Sequence, residues 1–558
     1  MNRLGITIGL AALMALACGK GEAPNTIEGR LVGADGKTPP LAHVHLIAMG
    51  DDIHATVKSV PVAEDGSFRL EVPADGYYDA LVTAVNHRPF RVPLASDAHF
   101  DIRGIRLTPE PYRYRRPLED AGIIGDWDNF SRREAEPMAH LDDGTFMYDR
   151  DVDADTLAYQ LVGPEVSGRS INGTDSDYYI YDGGGDYISV VRTEDGKGIV
   201  TFDPEKAQIV TDADLPEVDF GTGAGVIAEA WEIQKRFLAE ADRMNEALQA
   251  YMAQGGSYQD FEYDMEDIRQ FLMDRMTLAE DEATRRYAAL TLAGFLEQGL
   301  PLEDEEALAV AERLPVTDRM WAAQPMALPE VFRDAYGENK MVGMFEADLS
   351  KVAEPKVHAT MLLEIGLASR ASGDTARQRR IYDELVSGDS TLNLPYLSYR
   401  IRAELDPDLR VAPGKPVPDF EVALLDGETV SNKSMLGKHY LIDFWATWCG
   451  PCVGEMPYLE RTYSEYGGND FQILSISFDR SVADIERFRQ ENWKMPWLHA
   501  FAEGMFQSPI AAAFEVTAIP KPVLVDPQGV IVAVGPSIRG EHLEEAVGQA
   551  LGTEPPLP

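Results

Sequence analysis

Two residues carry the sharpest chemical signal in this sequence, Cys449 and Cys452, separated by Gly450 and Pro451. The chain has 3 cysteines, and the third, Cys18, lies near the N-terminus. Two chemistries use a Cys-x-x-Cys pair, zinc binding and thiol–disulfide exchange. Structural zinc usually takes four Cys or His ligands, whereas His439, His499 and His542 are scattered and no second such pair follows. Exchange is therefore the expectation, with no metal and no cofactor. The pair follows YLIDF (440–444), a short apolar run of strand type, and WATW (445–448). A cysteine placed where a strand gives way to a helix meets unpaired backbone N–H groups and the positive end of the helix dipole. Such a setting lowers a thiol pKa from about 8.5 to roughly 3.5–7.5. Cys449 is then the accessible thiolate that attacks a disulfide. Cys452, one turn further on and more buried, resolves the mixed disulfide.

The elements that must position this pair occupy only the last quarter of 558 residues. At about 100–200 residues per domain the chain holds roughly three to five units. A 45% hydrophobic content excludes a collagenous or wholly disordered chain. The formal charge of −43 argues against nucleic-acid binding, which needs clustered Lys and Arg.

Residues 25–107 alternate apolar and polar positions between Asp-Gly turns at 35–36, 65–66 and 75–76, the pattern of a small β-sandwich. This stretch resembles carboxypeptidase-regulatory-like and transthyretin-like modules. Residues 108–215 form a second β-rich module, reached through PEPYRYRRP (109–117). Its GDWDNFS, followed by PMAHLDDGTFMYDRDV and LAYQLVG, resembles the early-set modules of carbohydrate enzymes. Trp127 is then either a core residue at a strand end or a platform for sugar. The YDGGGDY run (181–187) lacks the Lys-Ser/Thr of a phosphate loop and reads as a hairpin turn.

From about 222 the period lengthens. Ile227, Trp231, Phe237, Ala241, Met244, Leu248 and Met252 mark one face of a long helix, and helices continue through 222–406. The stretch 356–388 reads as a helical hairpin and distantly resembles a tetratricopeptide unit, without a fixed-period repeat. Glu303–Glu306 reads as a solvated face or a helix start. Pro407–Pro418 reads as a stiff linker, and βα alternation follows it.

The C-terminal motifs resemble the TlpA/ResA branch of thioredoxin-like proteins: PDFEVALLDG (418–427), LGK (436–438), DFWATWC (443–449), CVGEMP (452–457) and VTAIPKPVLVD (516–526). The resemblance implies a thioredoxin-like α/β domain over 411–552. The expected fold class is thus multidomain, with two N-terminal β-sandwich modules, an α-helical domain and this α/β domain. The resemblance also implies that Pro457 kinks the active-site helix. Ile519-Pro520 becomes a cis-proline loop facing the cysteines, whose backbone pairs with an incoming peptide. Asp443 stands where thioredoxins carry a buried acid, which takes the Cys452 proton during resolution. Glu455 holds the CxxCxxE position that tunes the pair. Trp448 shapes the rim with Gly450 and Pro451, and Trp445 is either core or rim.

Gly450-Pro451, Ile519 and Asp443 resemble reducing thioredoxins, so the resemblance implies a reductase of protein disulfides fed by a membrane electron donor of the DsbD type. The opening MNRLGITIGLAALMALACGK resembles a bacterial lipoprotein signal over 1–18, with Cys18 lipidated and the protein membrane-attached in the envelope. An ordinary cleaved signal peptide is the alternative, and either one implies export. Two other functions stay open. A peroxiredoxin-like peroxidase shares the PDF…GK opening, although Cys449 lacks the Pro-x-x-x-Thr-x-x-Cys approach. A non-catalytic surface lipoprotein would bind a glycan or an envelope protein.

Overall fold

The computed structural model describes residues 24–552 apart from 52, 75, 96–98, 112–119, 164–170, 184, 208–215, 255–260, 262, 298–299, 389–393, 469 and 541. The expected signal segment 1–18, with Cys18, lies outside the described residues, as does most of the 109–117 stretch. The chain divides into two compact units. Apart from short segments, the first runs to Ser398 and the second begins at Tyr399.

In the first unit two four-stranded sheets bury their inward faces in one core. One sheet orders Glu217–Asp219, Asp101–Thr108, Asn25–Leu31 and Ser67–Val72; the other orders Thr56–Pro61, Ala42–Ala48, Tyr78–Ala84 and Phe90–Leu94. Alternation explains the packing: Ile27, Leu70, Ile102 and Leu107 meet Val44, Leu46, Val82 and Val92 between the sheets. The edge strand Glu217–Asp219 comes from far along the chain, after the second group of strands, and pairs antiparallel with Asp101–Thr108. Ile227 and Trp231 of the following helix enter the same core, where Trp231 lies 5.8 Å from Phe90.

Residues 122–202 form a five-stranded and a three-stranded antiparallel sheet around Phe146, Tyr159, Leu161, Val200 and Phe202. The hairpin expected at 181–187 is present: Tyr178–Tyr181 pairs with Tyr187–Arg192, and Asp182 N–H donates to Asp186 O. Trp127 is half-buried beyond the end of strand Gly122–Gly125. Arg150 lies over its indole at 5.0 Å and Tyr148 stacks on it at 5.7 Å, so side chains of the protein already occupy the ring.

The helix predicted from 222 is Val226–Ala253. Its deeply buried apolar residues, Ile227, Ala230, Trp231 and Ile233, all fall in its first third, and Met252 is exposed. Twenty-eight residues span about 42 Å, longer than the strands it packs against, so the apolar face outruns the core. Further helices follow through Pro395–Arg400. The hairpin expected at 356–388 appears as Pro355–Ala371 and Thr375–Gly388, turned at Gly373 in the left-handed region (φ 79°). Of the two readings of Glu303–Glu306, the helix start is the one observed. Glu306 caps the Glu303 N–H in a capping box and is buried against Arg269.

The second unit centres on a five-stranded sheet ordered Leu498–Phe501, Phe471–Ser477, His439–Trp445, Lys521–Val525 and Ile531–Val534. The first three strands run parallel and the last two antiparallel to their neighbours. His439–Trp445 is the middle strand with both faces covered, which is why it reads as a continuous apolar run. Pro407–Pro418 is not a free linker. Val411 and Val417 are buried, and Gly414, Lys415 and Val417 exchange backbone hydrogen bonds with Gly529 and Ile531. The prolines limit the backbone without preventing this edge pairing.

If Trp231 closes the core of the first two sheets, Trp231→Ala removes about 3–5 kcal/mol of stability. Urea unfolding of the full chain followed by circular dichroism measures this. An unchanged midpoint would show that the helix contributes nothing to that core.

Candidate active site

The site begins with the middle strand. After Trp445 the chain leaves the sheet, and the end of the neighbouring strand fastens the loop that follows. Thr447 donates from its N–H (3.2 Å) and its hydroxyl (2.6 Å) to the buried Asp479, which also accepts from Ser477 Oγ at 2.7 Å. Trp448 Nε1 donates to Phe478 O at 3.2 Å. The indole of Trp448 is 51% exposed and forms the rim, whereas Trp445 is wholly buried in the core.

This loop delivers Cys449 to the N-cap of the helix Gly450–Gly454. Its sulfur accepts from the Cys452 N–H at 3.2 Å, so one of the helix's orphan donors points at it. Pro451 sits in the first turn, where its missing N–H costs nothing. Gly450 and Pro451 are exposed beside the pair. The helix breaks at Glu455 and resumes as Met456–Tyr466 with Pro457 in its first turn, so the kink falls where the resemblance implied.

Cys449 and Cys452 are joined in a disulfide, with Cα atoms 5.2 Å apart. Cys449 is 6% exposed and Cys452 1%, so the expected order of accessibility holds, but the expected openness of Cys449 does not. Its sulfur is bonded to Cys452 and backed by the carbonyl of Ile519 at 3.7 Å. The Ile519–Pro520 peptide is cis, as the resemblance implied. Past it, half-buried Lys521 donates to the carbonyls of Phe514 and Glu515, both at 2.9 Å, and fixes the far side of the proline loop. Burial pushes the Lys521 ammonium down to about 8.

The middle strand, which leads into the pair, carries one acid. Asp443 is 3% exposed, and burial pushes its carboxyl up to about 7, with the nearby charge of Glu455 adding to the rise. Ser475 Oγ donates to Asp443 Oδ2 at 3.0 Å and itself accepts from Trp497 Nε1 at 2.9 Å. Glu455 is held by Arg539 Nε at 2.9 Å and by the Gly540 N–H at 2.7 Å.

The structure therefore brings Cys449, Cys452, Ile519 and Pro520 into one cluster, rims it with Trp448, Gly450 and Pro451, and holds Asp443 against Ser475 and Glu455 against Arg539 and Gly540. Sequence reasoning missed Ser475, Asp479, Trp497 and Arg539. For the first two a signal exists: ILSISFD places Ser475, Ser477 and Asp479 at alternate positions of an apolar strand, where a polar residue needs a buried partner. Among the described residues no group of three or more His, Cys, Asp or Glu side chains is placed to hold a metal ion, and no helix is long and apolar enough to cross a membrane.

A dithiol–disulfide couple at a helix N-terminus, facing a cis-proline in a mixed five-stranded sheet, defines a thioredoxin-like oxidoreductase domain. Residues 413–534 match the AhpC/TSA family. The thiol-disulfide oxidoreductase ResA of Bacillus cereus is 32% identical over 133 residues, 24% of this chain and 72% of that protein. ResA of Bacillus thuringiensis subsp. konkukian is 30% identical over 139 residues, 25% of this chain and 76% of that protein. Among solved structures, the thioredoxin domain of a thiol-disulfide oxidoreductase from Bacteroides vulgatus shares 31% identity, covers 25% of this chain and 96% of that one, and gives a TM-score of 0.23. Through this C-terminal region the chain belongs to the ResA-like thiol-disulfide oxidoreductases.

The raised Asp443 carboxyl makes a pH-dependent prediction. The group's ordinary value is 3.8, and in the folded protein it is about 7. Below about pH 4 both states are protonated, and as pH rises toward 7 only the folded state keeps the proton, so burial of Asp443 costs stability progressively over that window. Asp443→Asn in the oxidised full chain should therefore leave stability little changed near pH 4 and raise it by on the order of a few kcal/mol near pH 8. Denaturant-dependent hydrogen exchange of the 439–445 amides reports it. An equal gain at both pH values would show that Asp443 does not titrate in this window.

Proposed function

We propose that this protein reduces disulfides of other proteins in the cell envelope through the Cys449/Cys452 dithiol. The observation that carries this reading is the bonded pair itself, with Cys449 at the helix N-cap and its sulfur 3.7 Å from the carbonyl that precedes the cis-proline. In the reduced protein the Cys449 thiolate attacks one sulfur of the substrate disulfide, and the other sulfur leaves as a thiolate. Cys452 then loses its proton to Asp443, and its sulfur attacks Cys449. The mixed disulfide breaks, and the substrate departs with both electrons. The Cys449–Cys452 disulfide is the product state on the enzyme. A second dithiol, supplied by a membrane reductase of the DsbD type, must reduce it again.

The backbone beside Pro520 offers an edge for an extended substrate strand, and Trp448, Gly450 and Pro451 supply the exposed surface around it. Lipid on Cys18 attaches the protein to the membrane. The β module assigned to 25–107 acts as a spacer that holds the rest of the chain off the membrane. This direction of electron flow is supported by the Gly-Pro dipeptide and the buried acid.

A peroxidase is the second reading, favoured by the AhpC/TSA match over 413–534. The position of Cys449 weighs against it, since its bonded partner sits only three residues away in the same helix turn.

Cys452→Ser, expressed in the envelope, should trap substrates as mixed disulfides on Cys449, identified by mass spectrometry after non-reducing separation. Cys449→Ser should abolish reduction of insulin disulfides, by about a hundredfold or more given a required nucleophile. No covalent partner with the trap, together with peroxide consumption at an enzymatic rate, would replace the reductase reading with the peroxidase one.

A further inference from the structure

If Asp443 takes the Cys452 proton, the groups that set the surroundings of that acid belong to the reaction as well. Glu455 is the residue at which the active-site helix breaks. Its two carboxylate oxygens are divided between two donors from the far end of the domain, Arg539 Nε on Oε1 and the Gly540 N–H on Oε2. Arg539 and Gly540 stand three and two residues before the helix His542–Leu551, which packs along Met456–Tyr466. The clamp thus joins the helix break beside Cys452 to the start of the last helix. Both partners are partly shielded, the Glu455 side chain 14% and Arg539 31% exposed, so the pair acts in a medium less screening than open water.

The groups around Asp443 divide cleanly. Ser475 on the neighbouring strand donates to it, and Trp497 orients Ser475. His499, the cross-strand partner of Ser475, is pushed down to about 4 by burial and is neutral at physiological pH. Two charges act on Asp443: Glu455 opposes its ionisation and Arg539 favours it. These charges belong to the same clamped pair, so Arg539 offsets part of the effect of Glu455 while the clamp holds.

We propose, on the reading that Asp443 is the proton acceptor, that Arg539 with the Gly540 N–H is a positioning residue of the exchange reaction. It holds Glu455 in place and offsets its charge, leaving Asp443 able to accept the Cys452 proton when the mixed disulfide is resolved. In that step the proton moves from Cys452 Sγ to an Asp443 oxygen. The electron pair left on Cys452 forms the bond to Cys449 Sγ, and the pair of the breaking Cys449–substrate bond leaves with the substrate sulfur. Without Arg539, Asp443 faces an uncompensated carboxylate, holds its own proton and is a poorer acceptor.

The experiment follows the reduced full chain reacting with dithiobis(nitrobenzoate) in a stopped-flow instrument. One thionitrobenzoate is released when Cys449 attacks and a second when Cys452 resolves, so the second phase reads the proposed step. Arg539→Gln should move the pH midpoint of the second phase upward by about half to one unit and slow that phase about threefold or more near pH 7, with the first phase less affected. Glu455→Gln should move the midpoint downward, and Arg539→Lys, which keeps the charge, should restore most of the parent profile. Opposite shifts in the two neutralising variants are what a merely structural role would not produce. Shifts in the same direction, or an unmoved profile in a protein that shows both phases, would overturn the role of Arg539. If Arg539→Gln does not fold by circular dichroism, Arg539→Met, which also removes the charge, is read in its place, and an unmoved midpoint in a folded Glu455→Gln overturns the role by itself. Asp443→Asn separates the two readings: persistence of the parent profile in that variant removes Asp443 as acceptor, and Arg539's role with it. Loss of the profile in Asp443→Asn, with none of the Arg539 and Glu455 shifts, removes only the role of Arg539.

Discussion

The C-terminal unit depends on holding one sulfur at the open end of a helix. A helix begins with backbone N–H groups that have no carbonyl to meet, and here the Cys452 N–H points at the Cys449 sulfur. For this to matter chemically, the sulfur must arrive at a fixed position from a rigid direction. The middle strand supplies the direction, because both of its neighbours hold it in register along its length. Asp479 supplies the position by taking both donors of Thr447 in the loop between strand and helix. The cis-proline loop closes the other side and is itself held by Lys521. Sheet, loop and helix are therefore one device, and each part would be less use without the others.

Placing an acid in the middle strand works against that device energetically. A carboxyl surrounded by a packed core loses its hydration, and one hydroxyl from Ser475 offsets only part of the loss. The result is a group whose proton is held near neutrality, which suits proton transfer at physiological pH far better than an ordinary carboxyl. A purely structural residue at this point would be apolar, as Leu441, Phe444 and Trp445 are. Stability is given up locally at this position, and the proposed proton transfer from Cys452 is the use that would offset it.

Much of this is legible in the sequence, and the illegible part has a common cause. The Cys-x-x-Cys pair, the apolar strand before it, Pro457 and Ile519-Pro520 are local patterns, and their roles follow from what a few adjacent residues do to the backbone. Arg539 lies 84 residues from Glu455, in a stretch with no feature of its own, so nothing in the order of residues announces the contact. Asp479 and Ser475 leave a trace, as polar residues at alternate positions of an apolar run, but their partners appear only when the neighbouring strand and its loop are placed beside them. In the first unit the same limit applies to Glu217–Asp219, whose short, polar run gives no sign that it returns to the first sheet. Pro407–Pro418 misleads for the opposite reason: proline content signals an extended backbone, but not whether that backbone lies free or along a sheet edge.

The net charge of the chain bears on the site less than its size suggests. An excess of 43 acidic side chains would, unscreened, disfavour a thiolate and favour a protonated cysteine. At physiological ionic strength the Debye length is about 8 Å, so surface carboxylates beyond that distance are largely silent at Cys449. Groups inside that radius and out of water are not. The Cys452 N–H at the Cys449 sulfur and the buried carboxyl of Asp443 lie in a poorly screening interior, where a single charge outweighs many distant ones, and the Glu455–Arg539 pair is partly shielded. Acidity of the surface thus makes such chains repel one another, while the charges that bear on the two sulfurs are the few within a Debye length of them.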